Sequence, residues 1–232
     1  MDPGIRRDDG KGWSPASRLA NPLPMHAHLI PPIQPLLPWL DLAGLAVFAA
    51  SGALAAARAR QTIVTFCFFA MVTGTGGGTT RDMLIGAPVF WLHDAAPITV
   101  CLGIAGLVWL TPRVWWPERA LDWCDAVGLA AYAVYGAGKA LDYGVPPLPA
   151  AVMGVVSACL GGILRDVVAG VPSILLRPEL YVTAAALAAG LFVALTLAGL
   201  PAPWPAIISA LAGFGLRAAA IARGLALPAY RE

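Results

Sequence analysis

The sequence predicts an all-α integral membrane protein, with seven transmembrane helices arranged as two inverted three-helix repeats plus a seventh helix. Three observations carry that expectation. Apolar residues make up 59% of the 232-residue chain and charged residues only 12%, with a mean hydropathy of +0.73, against about 45–50% apolar and 25% charged in soluble domains. The apolar residues fall into runs of bilayer length split by short polar turns, as spanning helices require. The chain also repeats itself: TGTGGGTTRDMLIGAP from Thr73 is answered by GGILRDVVAGVP from Gly161, at a constant offset of 84 residues from Arg81 to Arg165. The same offset aligns DLAGLAVFAASGA from Asp41 with DAVGLAAYAVYGA from Asp125. Two separate blocks in one register point to a duplicated structural unit.

Residues 1–35 are rich in Pro, Gly, Arg and Asp and hold no apolar run long enough for a signal-peptide core, so they read as a flexible N-terminal tail. Pro31, Pro32, Pro35 and Pro38 keep a helix from starting early, and Pro38 suits a first helical turn. A first span is expected over 36–57, then a polar turn at Arg58, Arg60 and Gln61, and a second span over 63–83 that contains the glycine run. Asp94 and Pro97 open a third span over 95–110, closed by Thr111, Pro112 and Arg113, with Trp109, Trp115 and Trp116 suited to the headgroup belt. A fourth span follows over 121–141 and, after the Tyr143–Pro146 turn, a fifth over 148–168 with the second motif. Arg177, Pro178 and Glu179 mark the next boundary, with Glu179 placed in the first turn of a sixth span over 180–200. Pro201, Pro203 and Pro205 then lead to a seventh span over 204–222. Residues 36–223 thus form one membrane domain, with repeat one over 36–111, repeat two over 120–200, the seventh helix over 204–222 and a C-terminal tail over 224–232.

Three crossings per repeat is an odd number, so the second copy enters the membrane from the opposite face. Arg58, Arg60, Arg113, Arg119, Arg177, Arg223 and Arg231 lie on one side, which the positive-inside rule makes cytoplasmic; the N-terminus is then outside and the C-terminus inside, in a multi-pass protein of the cell inner (plasma) membrane. Arg6, Arg7, Lys11 and Arg18 in the tail argue the other way, but most lie more than about 15–20 residues from the first span.

Gly76, Gly77 and Gly78 in a helix interior forgo roughly 1 kcal/mol each relative to Ala, so a bend or break is expected there, and at Gly161 and Gly162. Alanine at these sites is accordingly expected to restore helix propensity and to spare folding. Small residues also let helices pack closely, but close packing leaves unexplained why Arg81-Asp82 and Arg165-Asp166 follow the glycines in both copies. Ionic residues at membrane depth cost at least about 2.5–3.5 kcal/mol, which marks them as functional or as an ion pair locking the halves together. Other polar residues within spans are Asp41, Ser51, Thr75, Asp125, Tyr135 and Lys139. Asp41 and Asp125 open equivalent helices, either as carboxylates at a positive helix end or as acids that concentrate cations at a pore mouth. Lys139 has no positive counterpart in the first copy. It could snorkel, bind an anionic lipid or gate a pore by its charge.

Several classes drop out. GTGGGTTR lacks phosphate-loop spacing and no strand precedes it. No Ser-His or HExxH arrangement exists, so no enzyme is expected. Net charge of +2 without a basic, aromatic-laced patch argues against nucleic acid. Cys67, Cys101, Cys124 and Cys159 lie in or beside apolar runs without CxxC spacing, so core thiols are expected and no metal site or cofactor.

Over residues 37–222 the chain resembles the prokaryotic trimeric intracellular cation (TRIC) channels, also described as glycine-transporter-like. The resemblance rests on GGGTTRD at Gly76–Asp82, GGILRD at Gly161–Asp166, the GxP pairs after them and YGAGKAL at Tyr135–Leu141. It implies seven helices, a homotrimer with one pore per protomer, and kinked second and fifth helices hinged at Gly76–Gly78 and Gly161–Gly162. It further implies permeation by monovalent cations, K⁺ in particular, with membrane lipids as surroundings. Lys139 matches a basic residue tied to gating or lipid contact in animal relatives, although Asp142 and Tyr143 stand where a second basic residue would follow. Leu160 replaces a third glycine in the second motif, which predicts a milder kink there. Beside a passive channel, two other functions stay open: a secondary transporter for a small amino acid such as glycine, and a non-conducting membrane scaffold.

Overall fold

A computed structural model describes residues 37–176 and 179–228, apart from the side chains of 37–40. The N-terminal tail, the Arg177-Pro178 corner and the last residues of the C-terminal tail lie outside the described residues. Among those described, the chain is helical: α1 (Leu37–Arg58), α2 (Ile63–Leu84), the one-turn α3 (Phe90–His93), α4 (Ala96–Leu110), α5 (Ala120–Asp142), α6 (Pro147–Val168), α7 (Val182–Leu197) and α8 (Trp204–Arg223). Two 3-10 turns, Arg113–Trp115 and Ile174–Leu176, complete the order, and a lone bridge joins Glu179 to Ala226. By length and composition α2, α6, α8 and the stretch Asp41–Arg58 of α1 can cross a membrane, while α4 and α7 are shorter apolar helices.

Proline and glycine set the helix ends. Pro97, Pro147 and Pro205 fall in the first turns of α4, α6 and α8, where a missing N–H goes unnoticed. At its other end α8 stops on Gly224, whose left-handed φ of 66° lets its N–H bond the Ala220 carbonyl. Gly86 and Gly170, separated by the repeat offset, take φ of 69° and 66° and turn the chain out of α2 and α6 in the same way.

Helices α1, α2 and α4 pack on one another, and so do their counterparts α5, α6 and α7; α1 meets α5, α2 meets α6, and α8 lies on α5 and α7. The contacts exchange under the 84-residue offset. Gly44 seats the Tyr132 ring and Gly128 the Phe48 ring, at the crossing of α1 and α5. Gly77 lies against the Ser157 carbonyl and Gly161 against the Thr73 carbonyl, at the crossing of α2 and α6. Both pairs run antiparallel, and in these contacts each glycine meets in the other helix the equivalent of its counterpart's partner.

Two expected details differ. Glu179 lies ahead of α7, not within its first turn, and pairs at 2.8 Å with Arg217 of α8. The third expected span, which is α4, is preceded by the unexpected one-turn α3, set off from it by Asp94, whose carboxylate accepts the N–H of Ala96 at 2.9 Å in a local turn ahead of α4.

Candidate functional site

The Arg-Asp pairs end α2 and α6, and their geometry explains why the motif extends to the following glycine and proline. Asp82 Oδ1 accepts from Arg81 Nε at 2.9 Å and Nη2 at 2.7 Å; Asp82 Oδ2 accepts the N–H of Phe90 at 3.2 Å, which fixes the start of α3. In the second copy Asp166 Oδ1 accepts from Arg165 Nε at 2.9 Å and pairs with Nη2 at 2.8 Å, and Oδ2 accepts the N–H of Ile174 at 2.7 Å. Each aspartate therefore neutralises its neighbouring arginine and holds the chain that Gly86 or Gly170 has folded back. All four charged residues are buried, from 0% exposure for Asp82 to 5% for Asp166. Buried charges persist only when paired and hydrogen-bonded.

Beyond this shared frame the two clusters diverge. Around Arg81 stand Tyr135, whose ring lies 4.9 Å beneath the guanidinium carbon, and Lys139, which donates to Asp82 Oδ1 at 2.8 Å. Asp41 faces Arg81, Tyr132, Lys139 and Tyr135. Around Arg165 stand Asp125, which accepts from Nη1 at 2.6 Å, and Ser51, whose hydroxyl accepts from the same nitrogen. Tyr181 faces Asp125 and Arg165. Ser51 and Tyr135 are repeat equivalents, so each arginine reaches across to the opposite half. Asp41, Tyr135, Arg81 and Lys139 are thus gathered in one cluster, and Ser51, Asp125 and Arg165 in the other, although the sequence scatters them.

Asp41 and Asp125 lie in the second turns of α1 and α5, past the reach of the helix-end dipole. Asp125 is fully buried against Arg165; it neither caps a helix nor faces water at a mouth.

The glycine run does not break α2, which is helical without interruption from Ile63 to Leu84. Thr75 donates to the Met71 carbonyl, Thr79 to Thr75 and Thr80 to Gly76, at 2.7–3.0 Å. Such back-bonding gives these hydroxyls partners within α2 itself. The glycines serve contact: a Cβ at Gly77 would overlap the backbone of Ser157, and one at Gly161 the Thr73 carbonyl. At Gly76 it would meet only the tip of Leu164, at Gly78 the Phe90 ring and at Gly162 the Tyr181 hydroxyl. The expectation that alanine throughout the run would spare folding therefore fails at Gly77 and Gly161, because backbone cannot step aside as a side-chain tip can. Thr73 and Ser157 flank this crossing with buried hydroxyls that have no hydrogen-bond partner among the described residues.

Arg217 escaped the sequence reading. It is buried at 1% exposure, pairs with Glu179 and lies 5.3 Å over the Tyr181 ring, tying α8 to the start of α7. A cation inside an otherwise apolar helix was the available signal.

Comparison with known proteins places this geometry in a family. The family profile described as Glycine transporter matches twice, over residues 38–113 and 122–197, so the two matches carry the same 84-residue offset as the motifs. The UPF0126 membrane protein of Vibrio cholerae is 44% identical over 154 residues, 64% of this chain and 64% of that protein. The UPF0126 inner membrane protein YadS of Escherichia coli is 40% identical over 154 residues, 64% of this chain and 73% of YadS. The match thus spans just under two thirds of the Vibrio relative's length. Among solved structures, the TRIC trimeric intracellular cation channel orthologue from Rhodobacter sphaeroides superposes with a TM-score of 0.77 at 42% identity, over 83% of this chain and all of that one. A prokaryotic TRIC channel crystallised in KCl gives 0.77 at 25% identity, over 84% and 100% of the two chains.

Proposed function

The chain belongs to the TRIC channel family, the one the Glycine transporter profile describes, and from that premise we propose that it is a K⁺-permeable monovalent cation channel, not an enzyme. The pore lies within each protomer of a homotrimer and follows the crossing of α2 and α6. One observation carries this reading: the two helices meet backbone to backbone beside hydroxyls that have no partner among the described residues, and each ends in a buried cluster of paired charges. Non-permeating helices gain nothing from charges at that depth, since replacing them with apolar residues would be neutral or stabilising. Residues 36–223 form the membrane domain, as two inverted three-helix repeats (α1, α2, α4 and α5, α6, α7) with α8 as the seventh spanning helix. Asp41, Asp125, Ser51, Thr75 and Tyr135 line or brace the path, Gly76–Gly78 and Gly161–Gly162 let its two helices meet, and Lys139 closes one end on Asp82. Permeant K⁺ or Na⁺ and surrounding lipids are the small partners of conduction.

Purified protein in planar bilayers is expected to give unitary K⁺ current steps, and Lys139→Met to raise the open probability. Saturable, gradient-coupled glycine uptake without unitary steps would turn the reading into a transporter; neither current nor flux would leave a scaffold. Particle mass corrected for detergent should equal three chains.

The repeats are inverted, with the N-terminus outside and the C-terminus cytoplasmic. After replacement of the native cysteines, a cysteine in the Arg58–Gln61 turn should react with an impermeant thiol reagent from the cytoplasm, and one in the Tyr143–Pro146 turn from outside. Reaction of both from one side refutes the inversion.

A further inference from the structure

The two charge clusters share a frame but not a charge. In the first, Asp82 Oδ1 carries two bonds from Arg81 and a third from the Lys139 ammonium. In the second, Asp166 Oδ1 carries the same two arginine bonds, and the residue equivalent to Lys139 is Ala55. The space the lysine would occupy is a cavity of about 250 Å³, with Ala55 and Asp166 both on its lining. Arg81 and Lys139 balance Asp41 and Asp82. Arg165 pairs with Asp125 and Asp166, and the cavity wall adds Asp122 and the exposed Arg58, so these groups together stay one positive charge short. Asp125, fully buried, has no hydrogen-bond partner for Oδ2 among the described residues.

We propose that this cavity binds a primary ammonium group carried on a short alkyl chain. The ammonium donates to Asp166 Oδ1 as Lys139 does to Asp82, and the hydrocarbon lies along Ala55, Ala59, Leu121 and Ile174, the apolar part of the wall. Lys139 itself is the template: one half of the molecule holds covalently, as a side chain, what the other half is shaped to take from solution. A hydrogen bond between an ammonium and a carboxylate belongs to the strong, charge-assisted class, and a donor-less cation cannot make it. The site does not depend on the chain's conducting ions.

The test is calorimetric titration of n-butylammonium, a lysine side chain without its backbone, into the full-length protein in detergent. Saturable binding at one site per chain is expected, with tetramethylammonium weaker by roughly tenfold or more and n-butanol not bound. Ala55→Lys supplies a tethered ammonium and should abolish n-butylammonium binding while keeping the folded particle. Should that variant fail to fold, Ala55→Met, which fills the same space without charge, should abolish binding in its place. No saturable binding to the unmodified protein, equal binding of tetramethylammonium, or undiminished binding to the folded variant overturns the proposal. Because the readout is binding in detergent, a protein that binds without conducting refutes the channel and not the site, and one that conducts without binding refutes the site alone.

Discussion

Replacing Gly77 by alanine is expected to force α2 and α6 apart and to cost on the order of 3 kcal/mol, the upper part of the range for overpacking a tight contact. Helix propensity alone predicts the opposite, a gain of about 1 kcal/mol. Packing decides the sign, since the added Cβ would overlap the Ser157 carbonyl and the following peptide, inside a helix that cannot shift without moving Gly136 and Gly154 off their own close contacts. Its neighbours supply the control. Gly76→Ala meets only a leucine methyl that can change rotamer, so it should be close to neutral, and Gly78→Ala, which presses on the Phe90 ring, should fall between. Gly161→Ala should behave as Gly77→Ala does, because it faces the equivalent carbonyl of Thr73. Thermal unfolding of the four variants in detergent, followed by size-exclusion of the surviving particle, separates them. If Gly76→Ala and Gly77→Ala unfold together, the backbone contact is not what the glycine run serves.

This ordering within three consecutive glycines marks where the sequence stops being informative. Hydropathy located the long helices to within about three residues at every end, because span length and proline position are local properties. The 84-residue offset also forecast which residues would be equivalent. Neither could say which glycine of three faces a backbone, since that depends on the rotation of α2 about its own axis and on where α6 lies. The same limit hid the partner of Lys139. Asp82 is 57 positions away and sits in the other half, and nothing local distinguishes a lysine that reaches it from one that snorkels to the headgroups. For Asp41 and Asp125 the sequence left a helix-end carboxylate and a pore-mouth acid both open, because the full burial of Asp125 against Arg165 and the half-burial of Asp41 depend on helices distant in the chain. Arg217 was legible in principle, as a lone cation within an apolar span. Its partner Glu179 was not, being separated from it by the whole of α7.

The same asymmetry between the halves predicts that the two motif arginines are not equivalent. Arg165→Met should leave Asp125 and Asp166 buried with no cation between them, and breaking a buried pair in this way costs roughly 3–5 kcal/mol. Arg81→Met removes the same side chain from the same frame, yet Asp82 keeps the Lys139 ammonium at 2.8 Å and should remain satisfied. The expected result is that Arg81→Met yields folded particle and Arg165→Met yields little or none. Charge, not shape, is the cause, so a second substitution tests it directly. Asp125→Asn in the Arg165→Met background removes one of the two stranded carboxylates and should recover a measurable fraction of folded protein, although asparagine alone at that position would strip Arg165 of a partner and destabilise. Lys139→Met combined with Arg81→Met should abolish the tolerance of the first cluster and lower its yield to that of Arg165→Met. Equal losses from the two single arginine variants, or no recovery with Asp125→Asn, would mean that these arginines hold the helices by packing and that the buried charges are not the determinant.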